Sequence, residues 1–191
     1  MTDIKNQEII DLQKQINKNL FDLAELYFTT KEWFILSEEL LPELGFFLSP
    51  LLEQRDALDH LMRGFNQSDD EICSQESKLA SLKNRLAQIS KAYAHELRAF
   101  FDVADYICIN IRLNISNALK HISRKKIISI WDCYLQSQKD IIEFCENFAK
   151  ARCDRGEKDY REYVDQLKEV VRIYKYFKIN IEPCIKTKNY N

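Results

Sequence analysis

Residues 71–122 read EICSQESKLASLKNRLAQISKAYAHELRAFFDVADYICINIRLNISNALKHI, without a single Gly or Pro. Leu79, Leu82, Leu86, Ile89, Tyr93, Phe100, Ile107, Ile111, Ala118 and Ile122 recur at intervals of three, four or their sums. That is the period of one face of an α-helix. Fifty helical residues span roughly 75 Å at 1.5 Å per residue. The stretch therefore predicts either one very long helix or two, with a bend near Asn114 to Ser116.

The same period extends in both directions. Ile9, Leu12, Ile16, Leu20, Leu23 and Tyr27 give a repeat over residues 3–28. Thr29 and Glu32 form a capping-box pattern that would open a second helix through about Leu44, with Pro42 and Gly45 bending or ending it. Ser49-Pro50 places an N-cap and a first-turn proline ahead of LLEQRDALDHLMRGF, which stops near Gly64. Ser68 and Glu71 make another capping box. Ser123 would cap a helix carrying Ile127, Trp131, Tyr134, Ile141, Cys145 and Phe148. After Gly156 a last helix carries Tyr160, Tyr163, Leu167, Val170, Tyr174 and Phe177, followed by a polar tail from about Pro183.

Each helix is amphipathic and must bury a stripe against a neighbour. The expected fold is all-α: an elongated antiparallel bundle of five to six helices, forming one domain over 1–191. Composition agrees. The chain has 191 residues, 46% hydrophobic and 30% charged, with only three Gly and three Pro, too few turns for a sandwich, a barrel or a Gly-loop nucleotide fold.

No run approaches eighteen consecutive apolar residues, so no membrane span is expected. MTDIKNQEII lacks the basic flank and apolar core of a secretory signal. Cys73, Cys108, Cys133, Cys145, Cys153 and Cys184 form no C-x-x-C pair, and Cys108, Cys133 and Cys145 fall in helical apolar patterns as small buried hydrophobes. A reducing cytoplasm fits this usage. With 28 basic and 30 acidic residues there is no global basic field. Lys120, His121, Arg124, Lys125 and Lys126 cluster at a helix junction, where they complement a helix C-terminus more readily than they bind phosphate.

His60, His95 and His121 are the three histidines, and none stands at H-E-x-x-H or E-x-x-H spacing. Neither a metal centre nor a cofactor is therefore expected. What remains is Arg55-Asp56-Ala57-Leu58-Asp59-His60 on the third helix. An Arg followed by a polar residue, three others and a His resembles the signature of the HEPN superfamily. Many members carry a Tyr two residues after the His, where Met62 stands here.

The resemblance implies a small helical bundle and a metal-independent endoribonuclease or RNA-binding component of a toxin or antiphage system. It further implies a homodimer with Arg55 and His60 at a shared cleft, and a cognate protein partner. The chemistry is consistent. A histidine takes the ribose 2′-hydroxyl proton, and an arginine fork stabilises charge building on phosphorus oxygens. Asp56, four residues before His60, is placed to hold the imidazole tautomer.

With Leu51, Leu58, Met62 and Phe65 as the buried stripe, His60 falls about 200° round the helix and Arg55 about 60°. The two are roughly 140° apart, so catalysis calls for a partner copy or a second helix. Tyr93 to Arg98 is the intrachain candidate, because Glu96 occupies an expected apolar slot beside His95 and Arg98. With Arg63, these residues would line the cleft. The alternative reading is a non-enzymatic helical interaction protein. In it Arg55, Asp59 and Arg63 form an ion-pair ladder on a solvated face, the polar cluster is dispersed, and the long 71–122 helix supplies the partner interface; the Tyr-rich last helix reads as core plus a dimer face.

Overall fold

A computed structural model describes residues 2–41, 48–66, 74–153 and 159–187. The protein is an all-α helical bundle, with no strand among those residues. Its helices are α1 (Thr2–Leu40), α2 (Leu48–Phe65), α3 (Gln75–Leu119), α4 (Arg124–Ile130), α5 (Tyr134–Cys153), α6 (Tyr160–Tyr176) and α7 (Glu182–Thr187). Two compact units divide the chain, Met1–Val103 and Ala104–Asn191, and α3 contributes to both.

In the first unit α1 and α3 run the same way. Lys5 pairs with Glu76, Lys83 with Glu8 at 2.8 Å, and Ile9 and Ile16 pack with Leu82 and Ile89. Between them α2 runs in reverse, with Ala57 beside Leu23 and Ala92, and Gly64 against Arg85 and Gln88. The long helix is continuous through Asn114 to Ser116, because no residue there removes a backbone donor.

Four local expectations are corrected. α1 passes through Thr29 and Thr30 without a break; their hydroxyls donate to the carbonyls of Glu25 at 3.0 Å and Leu26 at 2.9 Å, four residues back inside the helix. The buried stripe Leu23, Leu26, Thr30, Trp33 continues across that point and outweighs the local capping pattern. Similarly, Ser49 lies within the first turn of α2, and its hydroxyl donates to the buried carboxylate of Asp102.

A third difference lies at Trp131 to Cys133, where the chain breaks between α4 and α5. Trp131 is almost fully buried there, with its indole within 5.4 Å of Tyr134 and 5.6 Å of Phe177. Cys133 is consequently exposed at the turn, its sulfur accepting from Trp131 Nε1 at 3.2 Å, while Cys108 and Cys145 are buried as expected. Finally, the chain stays helical beyond Pro183. A π-helical segment, Phe177–Ile181, precedes it and leads into α7, and Ile181 and Ile185 are buried there. The Glu182 N–H reaches back five residues to Phe177, just where the proline withdraws one donor.

Pro42, Gly45, the Ser68–Glu71 box, Cys73, Gly156 and the last four residues lie outside the described residues.

Candidate functional site

The face of α2 that meets the core differs from the one the apolar residues suggest. Pro50, Ala57 and Gly64 are its buried positions, and half-buried Leu61 packs with them. Leu58 and Met62 are 54% and 57% exposed. The reason is distance of approach. A β-carbon on Gly64 would stand 3.2 Å from Gln88 Cβ, a tight contact, so the glycine lets α2 lie close to α3 without displacing Gln88. Ala57 fills the same line one heptad earlier.

Turning the helix this way moves His60. It lies about 70° from the centre of the buried face rather than opposite it, at 100° per residue. Its half-buried ring faces α3, where Nδ1 meets Gln88 Oε1 at 2.7 Å. An amide oxygen only accepts, so Nδ1 carries the hydrogen and Nε2 holds the free lone pair. On α3, about two helical turns beyond Gln88, His95 stacks on His60 with ring centroids 5.2 Å apart and planes at 29°.

His95 is anchored from α2 in turn. Its Nδ1 lies 2.9 Å from Glu53 Oε2, which also accepts from Arg98 Nε at 2.8 Å. An Arg98 terminal nitrogen approaches the same Nδ1 at 2.6 Å. One ring nitrogen cannot serve a donor and an acceptor together. The carboxylate is the stronger acceptor, so Nδ1–H belongs to Glu53 and Arg98 adds charge beside the ring.

Of the residues singled out from the sequence, His60, His95 and Arg98 come together at this seam. Arg55 instead grips Asp56 through Nε at 3.0 Å and a terminal nitrogen at 2.7 Å. That pairing holds the Asp56 carboxyl below its ordinary range, with both imidazoles adding a smaller pull in the same direction. Gln88, not Asp56, is thus the partner of His60 Nδ1. Arg63 turns outward and pairs with Asp59, four residues before it.

Glu96 goes the other way, into the core, where it is 2% exposed. Burial raises its carboxyl above the ordinary range, against the hydrogen bonds of Gln54, at 3.1 Å, and Thr30. Glu53 and Gln88 belong to the site although neither is conspicuous in the sequence. Both fall on the seam only once α2 is turned onto its small residues. No cluster of three or more His, Cys, Asp or Glu suited to a metal ion occurs among the described residues. Nor is any described helix long and apolar enough to cross a membrane.

No family model matches the chain, and neither does any curated protein or solved structure.

Proposed function

We propose that this protein is a metal-independent endoribonuclease of HEPN type, with His60 as its general base. The observation that carries the reading is the stack of His60 on His95 with Arg98 beside it, on a half-buried seam between α2 and α3. His60 Nε2 takes the proton of a ribose 2′-hydroxyl, and the alkoxide attacks the adjacent phosphorus. Arg98 supplies positive charge for the non-bridging oxygens, and Arg55, about 140° round α2 from His60, is available to a second copy docking on that face.

The test is cleavage of a mixed-sequence RNA in EDTA by wild type, Arg55→Ala and His60→Ala, each checked for folding by circular dichroism. Cleavage by wild type that leaves 2′,3′-cyclic phosphate ends and is lost in His60→Ala is the expected outcome. A well-folded wild type without cleavage would sink the reading.

A second reading has its own observation. Phe21, Phe28 and Ile35, seven residues apart on α1, are 72%, 61% and 46% exposed. A heptad stripe on the outer face of a helix fits a non-enzymatic interaction protein, working as a homodimer or with a protein partner. Sedimentation of wild type beside Phe28→Asp decides it: a monomer in both cases removes the homodimer.

A further inference from the structure

We infer that His95 is the general acid of this site, so that the acid and the base for RNA cleavage both come from one chain. The inference rests on the ribonuclease reading of His60 but adds a residue and a role.

Cleavage by a 2′-hydroxyl needs two proton transfers. The bond that forms joins the 2′-oxygen to phosphorus, and its proton leaves to a base. The bond that breaks joins phosphorus to the 5′-oxygen, and that oxygen departs far more readily if an acid delivers a proton as it goes. The products are a 2′,3′-cyclic phosphate and a 5′-hydroxyl. One proton has been taken up and one given, and no co-reactant is consumed.

The seam offers one imidazole for each transfer. Both rings are fixed at Nδ1 by a residue of the opposite helix: His60 on α2 by Gln88 of α3 at 2.7 Å, and His95 on α3 by Glu53 of α2 at 2.9 Å. Each ring therefore keeps Nε2 for the substrate. The partners differ in charge, and that difference assigns the roles. Gln88 is a neutral acceptor, content with the uncharged ring that a base must be. Glu53 is an anion, which complements a ring carrying its second proton, the form an acid must have. Arg98 pairs with the same Glu53 oxygen at 2.8 Å and approaches His95 Nδ1 at 2.6 Å, so its charge offsets part of that pull, while the Asp56–Arg55 pair lies within electrostatic reach of both rings. Stacked at 5.2 Å between centroids, the two rings sit side by side, so one phosphodiester would meet both along their Nε2 edges.

The experiment compares an RNA with the same RNA carrying sulfur in place of the 5′-bridging oxygen at the cleaved linkage. A thiolate leaves without a proton, so loss of the general acid is masked in that substrate alone. His95→Ala and His95→Gln are expected to cut ordinary RNA at least a hundredfold more slowly and the sulfur-substituted RNA within about threefold of wild type. His60→Ala should lose both. Mixing His60→Ala with His95→Ala should restore nothing, because the pair belongs to one chain.

His95 variants that cut both substrates like wild type, or lose both equally, overturn the assignment while leaving His60 as base. Restored activity in the mixture overturns the one-chain pair. A wild type that cuts neither substrate removes the underlying reading as well.

Discussion

His60 of α2 stacks on His95 of α3 at a centroid separation of 5.2 Å, although thirty-four other residues separate them in the chain. The contact exists because α2 presents Ala57 and Gly64, with half-buried Leu61, to the long helix, and turns Leu58 and Met62 to solvent. Every feature of the seam follows from that close approach, and so do most of its measurable consequences.

The first consequence concerns Gly64. A β-branched side chain there meets Gln88 Cβ, already at 3.2 Å from an idealised β-carbon. Gly64→Val should destabilise the fold by about 1–3 kcal/mol in urea denaturation, the usual range for overpacking. It should also loosen the His60–Gln88 bond, seen as a shifted His60 imidazole resonance in NMR.

The exposed and buried faces of α2 can be told apart directly. Leu58→Gln and Met62→Gln should each change stability by no more than about 0.5 kcal/mol, as surface substitutions do. Ala57→Leu, which adds volume where Leu23 and Ala92 meet α2, should cost about 1–3 kcal/mol. If Leu58→Gln proved the costly change, the orientation of α2 described above would be wrong.

Glu96 ties stability to pH with a definite sign. Burial raises its folded-state carboxyl above the ordinary 4.5 of a glutamate, so the unfolded chain gives up this proton first as pH rises. Stability is fully present below that value and is lost from there up to the raised native one. Glu96→Gln removes the loss while keeping an acceptor for Gln54 Nε2. Thermal melts should place the variant above wild type at neutral pH, with the gap closing as the pH falls below 4.5. A gap independent of pH would contradict the assignment.

On the proposed acid role of His95, Glu53, 2.9 Å from its Nδ1, is a positioning residue. Glu53→Ala should lower kcat on ordinary RNA with little change in KM, and should spare the sulfur-substituted RNA as His95→Ala does. Glu53→Gln, which keeps an oxygen toward Nδ1, should recover part of the loss. Equal damage to both substrates would mark Glu53 as merely structural.

In the second unit, Trp131 fills the space between Tyr134, Tyr176 and Phe177, with centroids 5.4, 6.4 and 5.6 Å away. Trp131→Ala should cost about 3–5 kcal/mol, the range for emptying a buried aromatic site. Calorimetry would show this as a lowered transition for residues of that unit.

The helices themselves were legible in the sequence, because a period of 3.6 and a scarcity of Gly and Pro act within a few residues of each position. So was the end of α2 near Gly64, whereas the sequence left open whether the long helix bends near Asn114 to Ser116, and the structure shows it unbroken. Local signals misled where a longer-range stripe competed with them. The Thr29 capping pattern yielded to the seam running on to Trp33, and Pro183 was carried by a π-helical segment whose apolar side chains are buried.

Only the tertiary structure decided which face of α2 turns inward. A hydrophobic count favours Leu58, Met62 and Phe65, since burial rewards apolar area. Packing chose Ala57 and Gly64, since small residues let two backbones approach and gather contacts from the residues around them. That single rotation brings Glu53, His60, Gln88 and His95 to one seam and sends Arg55 and Arg63 elsewhere. Spacing along one helix fixes angles within that helix; which angle meets a neighbour depends on the neighbour's shape.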